Sequence, residues 1–238
     1  MLGVGNGFSK GVYDNNALLG HHGRLAMIDC GTTAWLSLDQ LGIAREAIDE
    51  IFLTHLHFDH SGGVESAALY GRYIAGKKPT LIVPRPIERR LWEHTLKGTI
   101  EDKEQNLLQL KDYFNVVAPA EQEPFYICGA KAYWVQTKHV PGKFSCGLVL
   151  ADKLFYTSDM VCDPELLDRM MAGGIEMIYH DCQLNNAKVH ADFATLCTYP
   201  EHLQKKIWLM HHGLGSKTDV PRSGKMRFLF QHETMHLW

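Results

Sequence analysis

The chain has 238 residues, 45% of them hydrophobic, which is enough apolar material to bury one sizeable core. Lys and Arg number 24 against 27 Asp and Glu, so no basic excess exists to neutralise a long polyanion, and long nucleic acid is not the expected partner. No run reaches the roughly 18 consecutive apolar residues of a membrane span, no basic-then-apolar leader opens the chain, and the six cysteines lack Cys-x-x-Cys spacing; these features predict one cytoplasmic domain over 1–238 with reduced thiols and no membrane partner.

In chain order, apolar patterning predicts strands over about 1–5, 16–20 and 24–29. The last of these closes on Asp29. A helix is expected over 34–41, where Trp35, Leu36, Leu38 and Leu41 can share one face. The strand-like run 49–53 then leads into Thr54-His55-Leu56-His57-Phe58-Asp59-His60, which packs four ligand-type side chains into six positions. Neutral imidazoles and a carboxylate suit zinc or a similar divalent ion, and a loop at a strand end is where such folds place chemistry. Residues 62–73 are expected to be helical, with their N-terminus directed at those ligands. Pro84 and Pro86 break the chain after strand 80–83. The charged stretch 87–113 is expected to be helical, as a lid, a dimer contact or a plain surface helix. Further candidate ligands close later strand-like runs: His139 after 132–138, Asp159 after 154–158 and His211 after 207–210. The alternation of strands and helices predicts an α/β fold with two sheets between helices, an αββα sandwich.

These residues, in this order, resemble the metallo-β-lactamase-fold hydrolase superfamily, and several details resemble its tRNase Z-like branch. The resemblance implies two adjacent metals: His55, His57 and His139 on the first, Asp59, His60 and His211 on the second, and Asp159 bridging them. Asp29 would support the His loop without binding metal. At His211-His212 two imidazoles compete for one place, and the strand-end position favours His211. Gly3-Val4-Gly5-Asn6-Gly7-Phe8-Ser9 is similar to the branch's opening Gly-x-Gly-Ser loop, with Asn6 in place of Ser. His180-Asp181-Cys182-Gln183 and His190-Ala191-Asp192 stand where the branch has His-Glu-Ala-Thr and His-Ser-Thr. By that position Asp181 would orient His190, and His190 would protonate a leaving oxygen; a turn cap and a helix start are the alternatives. Cys30, Cys162 and Cys182, near these motifs, are read as packing residues.

His139 and Asp159 lie only twenty positions apart, so the tRNA-gripping arm cannot be inserted there, and two short strands with their turn fill the interval. Lys217, Arg222, Lys225 and Arg227 form only a small basic patch. A core of this kind without the arm resembles the compact, dimeric cyclic-nucleotide phosphodiesterases of the superfamily, including the phage anti-Pycsar enzymes; Pro200-Glu201-His202-Leu203 adds to that likeness. The resemblance implies two divalent ions, zinc or manganese, and a homodimer. It further implies hydrolysis of small phosphodiesters, 3′,5′-cyclic mononucleotides to 5′-monophosphates, through a metal-bound hydroxide, with Asp59, Asp181 and His190 as the catalytic group. A second reading is carboxyl-ester hydrolysis, as in lactonases, with Tyr156 or Tyr179 as electrophile. A third, a silent scaffold, fits poorly because none of the seven ligands is missing.

Overall fold

Two sheets carry the chain in a computed structural model that describes residues 1–185 and 187–237. The first holds β1 (Ala17–His21), β2 (Arg24–Ile28), β3 (Ile48–Phe52), β4 (Thr80–Ile82) and β5 (Asn115–Val117) in that spatial order. Only the β1–β2 pair is antiparallel; β2 to β5 run parallel. The second sheet holds β6 (Phe125–Ile127), β7 (Ala130–Gln136), β8 (Cys146–Leu150), β9 (Leu154–Tyr156), β10 (Met177–Asp181), β11 (Ile207–Met210) and β12 (Arg227–Phe228). Its first four strands form an antiparallel meander and β9 to β12 are parallel.

Strand side chains alternate between faces, and that period of two sorts the apolar residues into three cores. Met27, Ile51, Leu53, Leu81 and Val83 face outward from the first sheet. They pack with Trp35 and Leu38 of α1 (Ala34–Gln40), Val64, Ala67 and Ala68 of α3 (Val64–Tyr70), and Ile87 and Leu91 of α4 (Arg85–Leu91). Their neighbours Ala26, Ile28, Phe52 and Ile82 point the other way and meet Trp134, Leu148 and Tyr156 of the second sheet. Phe52 stacks on Phe125 across that seam at 5.6 Å and 17°. On the far side Val135, Val149, Phe155 and Ile178 pack with Leu166 and Leu167 of α7 (Pro164–Ala172). Helix, sheet, sheet and helix therefore form four layers, the expected αββα arrangement.

The local expectations met three corrections. Residues 1–5 are no regular strand: Gly5 makes a single bridge to Asp14, and the Leu2 and Gly3 amides both donate to the Asn16 carbonyl. Gly3 is required at that contact, because a Cβ there would lie 2.2 Å from the Tyr13 carbonyl oxygen. Nor is 87–113 one helix. After α4 the backbone widens into a π turn over Trp92–Leu96, resumes as α5 (Lys97–Ile100), and leaves the helical region at Glu101. Asp102 and Leu107 then exchange both backbone hydrogen bonds, with Asn106 at φ 58°, before Gln109 and Asp112 form a capping box for α6 (Leu110–Tyr113). The expected helix 62–73 is likewise α2 (Phe58–Ser61), α3 and a π turn over Gly71–Ala75. Between His139 and Asp159 lie β8, β9 and their turn, as expected. Among the described residues no helix is long and apolar enough to cross a membrane.

Candidate metal centre

The parallel strands β2 and β3 end at one edge of the first sheet; β9, β10 and β11 end together in the second, and β7 runs in their direction because β8 opposes both. Asp29, the His55–His60 loop, His139, Asp159, Asp181 and His211 follow or close those strands. All the predicted ligands thus converge on one edge of the sandwich. Three residues there adopt left-handed backbone without being glycine: Asp29 at φ 63°, Ser158 at φ 51° and His211 at φ 63°. Such conformations are costly and mark positions that the surroundings over-determine.

Two donor sets share one carboxylate. In the first, His57 Nδ1 lies 3.1 Å from His55 Nε2 and 3.2 Å from His139 Nε2, while Asp159 Oδ2 lies 3.7 Å from His55 Nε2 and 3.6 Å from His139 Nε2. Bonds of about 2.0–2.1 Å to a tetrahedral ion separate its ligands by about 3.3 Å, so these spacings fit a single cation. In the second, Asp159 Oδ1 lies 3.2 Å from His60 Nε2 and 3.5 Å from His211 Nε2, and Asp59 Oδ2 stands 3.7 Å from each of those nitrogens. His60 Nε2, His211 Nε2 and Asp159 Oδ1 are fully buried without any hydrogen-bond partner. Buried polar atoms left unpaired are expensive, and a divalent ion satisfies all three at once.

The far nitrogens of three of the imidazoles are tied down, which sets their ring orientation. His60 Nδ1 meets Asp29 Oδ2 at 2.7 Å, and Asp29 also accepts from the Thr54 amide and hydroxyl. His139 Nδ1 meets the Val189 carbonyl at 2.6 Å, and His55 Nδ1 meets the Thr54 hydroxyl at 3.1 Å. Asp29 therefore braces the His loop and stays out of both donor sets. His212 engages Leu229 O through Nε2 and the Leu214 amide through Nδ1. With both nitrogens occupied, it leaves His211 as the imidazole facing Asp159.

Asp181 joins two histidines. Its Oδ2 meets His190 Nδ1 at 2.8 Å and accepts from the Met160 amide, and its Oδ1 lies 3.3 Å from His211 Nδ1. Asp181 is wholly buried, whereas the His190 side chain keeps 19% of its surface exposed. His190 also stacks on His211 at 4.6 Å and lines, with His57, Asp59, His139 and Asp159, an open cavity of about 660 Å³. All nine predicted site residues, His190 among them, are brought together.

Electrostatics divides the two donor sets. Burial, reinforced by neighbouring imidazoles, drives His55 well below its ordinary value, and burial likewise lowers His57 and His139. Burial also opposes charge on His60 and His211, but the carboxylates of Asp159 with Asp29 or Asp181 outweigh it, raising His60 and lifting His211 to about 10. Asp159 itself is held well below the usual carboxylate range because His211 and His60 overcome its burial.

Two buried asparagines escape a reading of the sequence. Asn16 accepts from the Gly31 amide at 2.7 Å and donates to Asp59 O at 3.1 Å, while Asn15 accepts from the His211 amide and donates to the Tyr156 hydroxyl. They clasp both metal loops, yet adjacent asparagines before a strand carry no distinguishing signal. Gly31 is similar: a Cβ there would lie 2.0 Å from Asp59 O. Tyr156 and Tyr179, the tyrosines considered as electrophiles, line instead a separate, largely apolar cavity of about 490 Å³ with Leu2, Leu19 and Leu154. Cys30, Cys162 and Cys182 are free thiols packed with the cores.

The sequence model of the family described as Anti-Pycsar protein Apyc1 matches residues 1–235. The chain belongs to the anti-Pycsar family. A relative bearing that name from Paenibacillus xerothermodurans is 41% identical over 237 residues, covering 98% of this chain and 95% of its own. Another from Bacillus phage vB_BveM-Goe7 is 36% identical over 250 residues, with 97% and 95% covered. Solved structures show the same fold at low identity. The metallo-β-lactamase fold protein YhfI from Bacillus subtilis superimposes with TM-score 0.71 at 14% identity over 97% of this chain and 95% of its own. A diphosphatase of the PhnP family gives 0.70 at 19%, over 96% and 93%, and human tRNase Z, short form, gives 0.63 at 16%, over 89% and 91%. The anti-Pycsar chain thus has the metallo-β-lactamase fold, and family, fold and donor set together support a metal-dependent hydrolase.

Proposed function

We propose that this protein is a dinuclear metal phosphodiesterase that hydrolyses 3′,5′-cyclic mononucleotides to 5′-monophosphates. The observation that carries the reading is the division of Asp159, with Oδ2 in the His55–His57–His139 set and Oδ1 in the Asp59–His60–His211 set. Two divalent ions held there, zinc or manganese, would supply positive charge to a phosphoryl group and acidify water toward neutral pH. The protein's own residues do the rest. Asp59 and Asp159 keep the donor sets in register, Asp29 and Asp181 fix the rings of His60 and His211, and the open cavity admits a small anionic ester beside them. His190, with Nδ1 on Asp181, presents Nε2 as the proton donor to the leaving 3′ oxygen.

The lactonase reading loses support because Tyr156 and Tyr179 face the other cavity and Tyr156 is engaged by Asn15. A small substrate is favoured over long nucleic acid by the balance of charge, and Lys217 and Arg227 of the basic patch lie over the rings of Phe230 and Trp208. Homodimerisation, cytoplasmic location and a single domain over 1–238 complete the proposal. Incubating the metal-loaded protein with a panel of cyclic mononucleotides tests the function: 5′-monophosphates are the expected products, and no turnover of any member contradicts it.

Metal loading should itself depend on pH in one set more than the other. Ligand nitrogens must be unprotonated, and in the metal-free protein the His60–His211 set is held charged while His55, His57 and His139 are not. Calorimetric titration at pH 7 in buffers of different ionisation enthalpy should therefore show proton release concentrated in one of two binding steps. The affinity of that step should strengthen as pH rises toward about 10, where His211 loses its proton. Equal proton release in both steps would contradict the assignment.

A further inference from the structure

The Gly3–Ser9 loop, whose Asn6 departs from the Gly-x-Gly-Ser pattern, builds a feature that the hydrolytic chemistry leaves unused. Asn6 Oδ1 accepts from the Phe8 amide at 3.0 Å, the Asn6 amide donates to Ser9 Oγ at 3.0 Å, and the Ser9 amide returns to Asn6 O at 2.9 Å. This tight turn holds the Phe8 side chain outward, 87% exposed. The turn is braced against the metal loops on two sides. The Gly213 amide, two residues after His211, donates to Val4 O at 2.9 Å, and a Cβ on Gly213 would lie 2.7 Å from Ser9 Oγ. A Cβ on Gly7 would lie 2.4 Å from Phe58 Cζ, so the loop rests directly on the ring between ligands His57 and Asp59. Phe58, itself 48% exposed, meets Phe8 edge to face at 6.1 Å and 66°.

Phe8 and Phe58 stand on the wall of the metal cavity, with Gln183, Lys188 and His190 also lining it. At about 660 Å³ the cavity exceeds what a phosphate alone requires and lies within the usual range for a small-molecule site. The adjoining Phe8 and Phe58 rings leave apolar area in water on the cavity wall, and a ligand seated in the cavity would cover it. An aromatic heterocycle tethered to a phosphate in this cavity suits such a ring, because any base offers a π face to stack.

We propose that Phe8 is the stacking platform for the substrate's nucleobase, a positioning residue that makes the site selective for nucleotides over phosphodiesters lacking a base. The proposal rests on the reading of the cavity as a nucleotide phosphate site, and binding separates the two. Stacking of one base on one aromatic corresponds to roughly 5- to 150-fold in affinity. The zinc-loaded full chain should bind adenosine 5′-monophosphate about 10-fold or more tighter than ribose 5-phosphate, measured by calorimetry. Phe8→Ala and Phe8→Leu should abolish that preference with metal content unchanged, and Phe8→Trp should keep it. In turnover, Phe8→Ala should raise KM for cyclic nucleotides and leave kcat in place, as loss of uniform binding does.

Equal affinity of the wild-type protein for the two phosphates overturns the platform. So does a preference retained by Phe8→Leu, which would make the residue an apolar lip rather than a ring. Retained preference in Phe8→Ala, together with dissociation of an assembly in sedimentation, would assign the ring to a second copy of the chain. Wild-type preference that Phe8→Ala removes, in a protein that hydrolyses no cyclic nucleotide, upholds Phe8 and overturns the proposed reaction instead.

Discussion

Asp159→Ala protein is expected to carry fewer than two metal ions per chain and to hydrolyse cyclic nucleotides on the order of 10³-fold more slowly, since a clamp worth several kcal/mol is lost. The physical cause is that both oxygens of one buried carboxylate are committed, Oδ1 3.2 Å from His60 and Oδ2 3.6 Å from His139. The same change removes the charge that sustains His211 at about 10 in the metal-free protein. Its proton should then titrate at much lower pH, and NMR titration of the apoprotein reads that shift independently of activity. The sign follows from which state the charge favours: a raised histidine value stabilises the fold below its ordinary 6.5 and ceases to do so as pH passes about 10. Metal analysis that finds two ions per chain in Asp159→Ala contradicts the bridging role.

His190→Ala should behave in the opposite way. It is expected to retain its metals, because the His190 nitrogen that faces Asp159 is already bonded to Asp181 at 2.8 Å. Turnover of cyclic nucleotides, whose leaving alkoxide needs a proton, should fall by about 10²–10⁴-fold. A nitrophenyl phosphodiester, whose leaving group departs without protonation, should lose far less. Asp181→Asn should fall between wild type and His190→Ala, as it leaves His190 in place but removes the negative charge and turns one acceptor oxygen into an amide donor, which weakens the hold on its tautomer. A uniform loss across good and poor leaving groups would point to a structural role for His190 instead.

Much of the centre is legible along the chain because its donors lie at strand ends, where apolar strand-like runs stop and a polar residue follows. His55, His57, Asp59 and His60 announce themselves by density alone, and Asp29, His139, Asp159 and His211 by position. The Asp181–His190 hydrogen bond is legible only through family likeness, since eight residues stand between two groups whose meeting depends on tertiary contacts such as the Gln183–Asp192 bridge. Asn15, Asn16 and Gly31 were illegible because their roles consist of contacts to backbone atoms of distant loops. The 87–113 stretch departs from a single helix for a related reason. Its charged composition suits a helix, while the turn at 102–107 is decided by Asp102, which accepts from the Gln105 amide and pairs with Leu107.

What the sequence determined by itself is therefore the inventory: the layered α/β arrangement, from the alternation of strands with helices, and the set of nitrogen and oxygen donors. What only the tertiary structure decided is the pairing. His212 is satisfied by backbone atoms of the 214 and 229 positions while His211 faces Asp159, Tyr156 and Tyr179 turn toward another cavity, and Asp159 splits its two oxygens between donor sets. A linear pattern records which face of an element a side chain occupies. The direction of a ring nitrogen or a carboxylate oxygen depends on the hydrogen bonds it finds across the fold, and those come from residues far apart in the chain.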